Sequence, residues 1–480
     1  MSSPNPAILN HAGALYIDGK FAEPLGAGVI PVMEAATGTV LAEAAAAGPQ
    51  DVARAVQAAA RALPDWSRTS PAQRADVLDR LTQGMRDRSE EFAEAITREV
   101  GTPIRHSRAI QVGNPIAITA NTSEVLRSYP FEETIGNCLV VKEPVGVVAA
   151  ITPWNYPLQQ VMAKVAAALA SGSTVVLKAS EVAPLTALML AEVAHASGLP
   201  GGVLNILVGE GQVAGEALVR HALVDAISFT GSTRAGRRIS ELAADRVTPV
   251  TMELGGKSAS LALEDADIAT AAKFAVYNAF LNSGQTCTAL TRLLVPRGAQ
   301  AQAVEMAVAT ARKLVPGDPM DESTRLGPLA SAAQLERVRA SIRQGLSEGA
   351  RLVLGGPESP PGLEAGYYVQ PTIFTDVRPE MAIAQEEIFG PVLSVIGYDS
   401  EAEAVEIANG TPYGLAAAIW SADRARAIEF ARRLRAGTVE VNGGAFSTSA
   451  PFGGVRQSGH GREFGRYGIE EFLVTKSLQL

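Results

Sequence analysis

The chain is poor in the residues from which disulfide scaffolds and metal centres are built. Its 480 residues include two cysteines, Cys138 and Cys287, and five scattered histidines without ligand spacing. That scarcity excludes a disulfide framework, predicts no bound metal and fits a reducing compartment. Positive charge is also short: 41 Lys and Arg stand against 50 Asp and Glu, a formal net charge of -9. A nucleic-acid backbone, which needs a basic surface, is therefore not an expected partner. Long apolar runs are missing as well. The one after Val161 is broken by Lys164 and Gly172, and the start, Met1-Ser-Ser-Pro-Asn-Pro6, lacks the basic residues and apolar core of a signal peptide. Neither export nor a membrane partner is expected, and the predicted location is cytoplasmic. Internal repeats and low-complexity segments are absent too.

What is there is a chain with 47% hydrophobic residues and 45 glycines, enough to bury large cores in two or three domains. Residues up to about Gly48 read as extended segments and turns, with a hairpin over 15–21 turning at Asp18-Gly19. Helical spacing follows over 51–63, then 70–100 with Ser70 and Pro71 at the cap and first turn, then 105–127. Residues 139–151 switch to β character, with Glu143-Pro144 dividing two strands. From Gly172 to Leu254 short branched strands (174–177, 203–208, 226–230, 250–254) alternate with helices (184–197, 213–221, 234–244). That alternation predicts a parallel sheet covered on both faces, the doubly wound α/β class that binds nucleotides at the carboxyl ends of its strands. A second α/β region follows Gly255, with helices near 266–281, 300–314 and 330–348 and strands near 293–295, 392–398 and 438–441. Ser359-Pro360-Pro361-Gly362 reads as a surface loop. The last strand, 472–478, presents an apolar edge that needs a partner.

Two glycine patterns are discounted. Gly209-Glu-Gly211-Gln-Val-Ala-Gly215 resembles a dinucleotide fingerprint with its third glycine one position late, and Gly255-Gly-Lys-Ser258 lacks the first glycine of a phosphate loop, whose place Thr251 holds. Phe229-Thr-Gly-Ser-Thr233 offers backbone N–H groups at a helix start, either an anion site or an ordinary cap. Lys178 and Glu181 end another strand and are either ribose ligands or solvated charges. Glu253, inside the apolar run Val250-Thr-Met-Glu-Leu254, is either structurally paired or raised in pKa for proton work. Cys287, after a Gly-Gln-Thr turn, is either a small buried hydrophobe or a thiol facing a cleft.

Taken together, Pro153-Trp-Asn-Tyr-Pro157, Lys178-Ala-Ser-Glu181, Phe229-Thr-Gly-Ser232, Met252-Glu-Leu-Gly-Gly-Lys257, Gly284-Gln-Thr-Cys287, Glu386-Glu-Ile-Phe-Gly-Pro391 and Pro451-Phe-Gly-Gly454 stand in the order and spacing of the aldehyde dehydrogenase superfamily, which the chain resembles over nearly its whole length. Ala179 departs from the family, which often has proline there.

The resemblance implies an α/β fold of three parts. A Rossmann-type cofactor domain would span 1–124 and 143–254, an α/β catalytic domain 255–462, and a small β oligomerisation element 125–142 and 463–480, which makes family members homodimers or homotetramers. It also implies oxidation of an aldehyde to the carboxylic acid. Cys287 would attack the carbonyl, Asn155 and the Cys287 N–H would hold the oxyanion, and hydride would pass to NAD, with NADP possible. Glu253 would activate the water that hydrolyses the thioester. Lys178 and Glu181 would bind the adenosine ribose, Gly231 and Ser232 the pyrophosphate, and Glu387 the nicotinamide ribose. Phe389, Trp154 and Leu254 complete the implied cofactor contacts. The substrate tunnel would be lined near Tyr156, Gln160, Ala163, Leu281, Thr288, Phe446 and Phe452, without a cationic clamp, which favours an uncharged aliphatic or aromatic aldehyde.

Three alternatives stand beside this reading. A CoA-acylating enzyme of the same fold would hand the thioester to a thiol, whereas the family's hydrolytic glutamate is present here as Glu253. A cofactor-free thiol hydrolase would want a histidine base, and none of His11, His106, His195, His221 or His460 lies in a motif. A non-catalytic structural or binding homologue would not be expected to keep Cys287, Glu253 and Asn155 together.

Overall fold

The alternation of strand and helix before Leu254 builds an eight-stranded sheet in a computed structural model that describes residues 4–26 and 28–480. Its order is Gly459–His460, Val250–Glu253, Ala226–Thr230, Val147–Ile151, Thr174–Ala179, Leu204–Val208, Leu15–Ile17 and Lys20–Ala22. The five strands from Val250–Glu253 to Leu204–Val208 are parallel, and antiparallel strands close both edges. Side chains alternate between the two faces. Val148, Ala150, Val175 and Leu177 pack under helices Pro71–Asp87, Pro157–Ser171 and Leu185–Ala196, while Val147, Ala149, Val176 and Ile227 pack under Pro49–Trp66 and Thr233–Ala244. Burial on both sides is why these strands read as continuous apolar runs.

After laying down the edge strands Leu15–Ile17 and Lys20–Ala22, the chain enters the parallel part of this sheet at its centre, through Val147–Ile151. It winds outward through Thr174–Ala179 and Leu204–Val208, then crosses back to Ala226–Thr230 on the other side. The order therefore reverses between Val147–Ile151 and Ala226–Thr230, and a crevice opens beyond their carboxyl ends, where doubly wound sheets bind ligands.

After Gly255 the chain builds a seven-stranded sheet: Arg351–Leu354, Thr372–Thr375, Val392–Tyr398, Arg292–Pro296, Ala259–Ala262, Ala416–Trp420 and Thr438–Val441. All pairs are parallel except the first. The chain later returns to the first sheet through Gly459–His460, paired to Met252 and Glu253. A separate antiparallel sheet joins Leu473–Gln479, Cys138–Pro144 and Glu132–Ile135. The apolar edge of the final strand thus finds its first partner within the same chain, at Cys138–Pro144.

Several local expectations are corrected. The helical run over 70–100 is two helices, Pro71–Asp87 and Ser89–Val100, broken at Arg88 (φ -111, ψ 20). Its guanidinium turns aside to pair with Glu91 and Glu192. Residues 125–127, expected to open the hairpin, belong to helix Gly113–Arg127, and the hairpin occupies 132–144. The break expected at Glu143-Pro144 falls one step later, at Val145 and Gly146, the latter at φ 123. Four strands of the second sheet went unread: Ala259–Ala262, Arg351–Leu354, Thr372–Thr375 and Ala416–Trp420. The last is Ala-Ala-Ala-Ile-Trp, helical by propensity, and pairing with strands on both sides overrides that preference. Among the described residues, no helix is long and apolar enough to cross a membrane, and no cluster of His, Cys, Asp or Glu could hold a metal ion.

Candidate active site

A cavity of about 130 Å³ occupies the crevice between the two large sheets. The loop after Val147–Ile151 brings Pro153, Trp154 and Asn155 to it, and the end of Ala226–Thr230 brings Thr230, Gly231 and Ser232. Glu253, Leu254 and Gly255 come from the end of the neighbouring strand, and Cys287, Glu387 and Phe389 reach it from the second region.

The cysteine is held by a strained turn. Helix Ile268–Phe280 ends, Asn282 and Ser283 take φ 52 and φ 56, and Gly284 follows at φ 76. A Cβ at Gly284 would stand 2.1 Å from the Gly390 carbonyl, so only glycine lets this turn lie against the Glu386–Pro391 segment. Cys287 is partly exposed, and enclosure by the surrounding protein, followed by the charge of Glu253, pushes its thiol well above its ordinary pKa. A resting thiol in this setting is protonated and needs a base or a local change before it attacks.

Glu253 is 3% exposed, and its carboxylate oxygens have no partner among the described residues apart from the neighbouring Cys287 thiol. Burial raises its pKa well above the carboxylate range; Glu463 raises it further and Lys164 opposes both. Those two form their own buried ion pair, Lys164 Nζ to Glu463 Oε1 at 2.5 Å, behind the strand that carries Glu253. A buried carboxylate with open lone pairs beside a thiol is suited to receive a proton from water. Asn155 is also buried, and its Nδ2 donates to the Gln285 carbonyl at 3.0 Å, leaving the second N–H without an acceptor among the described residues.

The rest of the cavity suits a dinucleotide. Helix Thr233–Ala244 starts at its wall with Ser232 as cap, whose side chain accepts from Ala235 N at 3.3 Å. Thr230 Oγ1 is buried without a partner among the described residues. Phe389, at φ 60, sets its ring edge-on to Trp154 with centroids 5.5 Å apart. Glu387 accepts from the Gly256 N–H at 3.1 Å, and burial raises its carboxyl to about 7. A Cβ at Gly255 would come within 2.2 Å of Glu387 Oε2. If Glu387 holds the nicotinamide ribose, as the resemblance implies, Gly255→Ala should displace this carboxylate and raise the KM for NAD about 10- to 100-fold, the scale of one hydrogen bond to a charged group. Steady-state kinetics at saturating aldehyde check it, and an unchanged KM would show that Glu387 does not hold the cofactor.

Lys178 and Glu181 lie outside the residues that line this cavity. Lys178 Nζ donates to Glu181 Oε2 and to the Gly209 carbonyl, both at 2.9 Å, and Glu181 keeps 37% of its side chain exposed. The Gly209–Gly215 stretch does not line the cavity either; its part here is to hold that lysine. On the other side of Cys287, an apolar cluster joins Ile118, Ala163, Leu415, Phe452 and Phe464. Phe452 stacks on Phe464 at 5.4 Å, and Phe446, 45% exposed, meets both edge-on. Tyr156 and Gln160 are buried nearby, Tyr156 Oη bonding Thr286 Oγ1 at 2.8 Å and Gln160 Oε1 lacking a partner. Leu281 and Thr288 are half-buried on either side of the nucleophile turn.

Sequence reasoning missed Gln334 and Arg337, one turn apart on helix Ala332–Ser347, which line the cavity and donate to the carbonyls of Phe389 (2.8 Å) and Glu387 (2.9 Å). Their i, i+3 spacing at a helix start was the only signal available.

Known proteins resemble this arrangement throughout. The aldehyde dehydrogenase family model matches residues 22–478. A 3-succinoylsemialdehyde-pyridine dehydrogenase from a Pseudomonas species is 46% identical over 96% of this chain and 97% of its own length. Aldehyde dehydrogenase C of Pseudomonas syringae, crystallised as a cysteine-to-alanine mutant with NAD+ and octanal, superposes with a TM-score of 0.97 at 46% identity, covering 98% of this chain and 97% of the other. The indole-3-acetaldehyde dehydrogenase of the same organism, a cysteine-to-alanine mutant with NAD+ and IAA, gives 0.95 at 38% identity, covering 98% and 97%. With a family model spanning nearly every residue and a cavity that gathers the family's motif residues, the chain belongs to the aldehyde dehydrogenase family.

Proposed function

We propose that Cys287, Asn155 and Glu253 carry out the oxidation of an uncharged aliphatic or aromatic aldehyde to its carboxylic acid. The observation that carries this reading is Glu253, buried in the cavity that Cys287 shares, its oxygens without a partner among the described residues other than the Cys287 thiol. Cys287, partly exposed, first loses its thiol proton to solvent; Sγ then bonds the carbonyl carbon as the C=O π pair moves to oxygen, which meets the second N–H of Asn155 and the N–H of Cys287. Donors aimed at such an oxyanion contribute about 3 to 4 kcal/mol each. NAD, when bound, would supply the hydride acceptor that oxidation of this adduct to a thioester requires. Glu253 then takes a proton from water as the water's oxygen attacks the thioester carbon, and the C–S bond breaks to return Cys287. Gly231 and Ser232 would hold the pyrophosphate at the helix start, Glu387 the nicotinamide ribose, Phe389 and Trp154 the ring side, and Lys178 with Glu181 the adenosine ribose.

Glu181 supports NAD over NADP, because a carboxylate bonded to ribose hydroxyls repels a 2′-phosphate. Comparing kcat/KM for the two cofactors should favour NAD by at least tenfold, and a higher value with NADP would reject the assignment.

The substrate class rests on the Phe452 and Phe464 rings of the cluster that Cys287 packs against, with Phe446 edge-on to both. The octanal bound by aldehyde dehydrogenase C supports it. A screen of NADH formation over aldehydes of varied length and charge should give the highest kcat/KM for apolar ones; a dicarboxylic semialdehyde at the top would overturn the choice. The division into a cofactor domain, a catalytic domain and a small β element, a homodimer or homotetramer joined through that element, and a cytoplasmic location belong to the same proposal. The exposed Val474 and Leu478 on the final strand support the assembly.

A further inference from the structure

Two adjacent non-glycine residues in the left-handed region, Asn282 and Ser283, form a conformation that L side chains rarely adopt and that persists only where the surroundings over-determine it. At Asn282 those surroundings are polar, buried and aimed at one peptide unit. Its Nδ2 donates to the backbone carbonyl of Asn155 at 3.0 Å and to that of Gln285 at 3.3 Å, and its Oδ1 accepts from Thr102 Oγ1. Gln111 closes the ring from the far side, its Nε2 donating to the same Asn155 carbonyl at 2.9 Å and to Thr102 Oγ1 at 3.1 Å. The Gln285 carbonyl that Asn282 touches is also the one that accepts the hydrogen bond from the Asn155 side chain. Thr102, Gln111, Asn155, Asn282 and Gln285 are all 3% exposed or less.

We propose that Asn282 is a positioning residue for the oxyanion site, clamping Asn155 at its main-chain carbonyl and, through Gln285, at its amide. This rests on the reading that Asn155 and the Cys287 N–H receive the oxyanion. The Asn155 amide and the Gln285 carbonyl it bonds, two residues before the second donor, stand 130 residues apart in sequence, and Asn282 ties the two segments because it sits on the nucleophile's own turn while bonding the other donor's backbone. Only a side chain with both a donor and an acceptor serves here. Its NH2 faces two carbonyls and its oxygen faces a hydroxyl, so a carboxylate would repel the carbonyls and an aliphatic group would leave them buried and unpaired. The left-handed backbone favours Asn among the residues with such a side chain.

A double-mutant cycle between Asn282→Gly and Asn155→Ala tests the clamp. Glycine adopts the left-handed region freely, so the turn keeps its backbone while the amide is lost. Asn155→Ala should slow the first NADH turnover by about 10²- to 10³-fold, the usual loss for an oxyanion donor. Asn282→Gly should slow it about 10- to 100-fold with KM values for aldehyde and NAD within twofold of the parent, and the double mutant should be no slower than Asn155→Ala alone. Alkylation of Cys287 by iodoacetamide, which develops no oxyanion, should keep its parental rate in Asn282→Gly. If that variant does not fold, Asn282→Asp serves in its place: it keeps the backbone preference and the bond from Thr102, and it should show the same or a larger loss. Losses that multiply in the double mutant, or alkylation that slows in step with turnover, would overturn the clamp. A parental first turnover in Asn282→Gly beside a crippled Asn155→Ala would also overturn it while sparing the oxyanion reading. Parental activity in Asn155→Ala would defeat that reading and the clamp with it.

Discussion

Glu253→Gln should release about one NADH per active site in a burst and then turn over roughly 10²- to 10⁴-fold more slowly than the parent, the scale of general base catalysis. Glutamine keeps the volume and planarity of the side chain but cannot accept a proton from water. The thioester therefore forms once and waits. Glu253 is suited to the task because its oxygens face the cavity without a partner among the described residues other than the Cys287 thiol, and its environment sets a pH dependence. Burial, with Glu463 adding, raises its pKa well above the ordinary value, so the fraction able to act as base grows as pH rises through that raised value. Turnover limited by hydrolysis should climb with pH over that range in the parent and lose that limb in Glu253→Gln. A variant that keeps parental steady-state turnover without added thiol would mean that another group activates the water. If adding CoA restored turnover to Glu253→Gln and the parent also preferred CoA to water, the acyl-transferring reading would replace the hydrolytic one.

Cys287→Ala should yield no NADH at all, with burst and steady state both lost, while the variant still binds NAD. No thiohemiacetal can form without the sulfur, and Cys138, the other cysteine, lies on a strand of the small antiparallel sheet. Removing the thiol deletes a partly exposed group of the cavity wall and leaves the turn made by Asn282, Ser283 and Gly284 in place, so stability should change little. Thermal melting with and without NAD checks both points. NADH formation above background in this variant would remove Cys287 from the reaction.

The parallel core of the first sheet was legible because strands buried on both faces carry unbroken branched runs, such as Thr174–Ala179 and Leu204–Val208, separated by helices of regular spacing. The second sheet was less so. Ala416–Trp420 is a strand only because neighbours pair with it on both sides, a fact that lies in tertiary structure and not in alanine's own preference. Likewise Arg88 breaks a run whose apolar spacing continues through it. At the site, Cys287, Glu253 and Asn155 stood out because each sits in a motif whose order along the chain is distinctive, and all three line one cavity. Gln334 and Arg337 sit on a helix face among ordinary polar residues, and their use is visible only once Glu387 and Phe389 lie against them. Asn282 was hidden for a related reason: its partners, Thr102 and Asn155, are distant in sequence.

The central claim is that an acyl group passes through Cys287 and leaves only when Glu253 activates water. Intact-mass spectrometry of Glu253→Gln, quenched in acid after the NADH burst with an apolar aldehyde, tests it most directly. The account predicts a mass gain equal to the acyl group on nearly every chain, carried by the peptide that contains Cys287 and absent from a Cys287→Ala, Glu253→Gln double mutant. An unmodified chain after a full burst of NADH, or the same adduct in the double mutant, would contradict it.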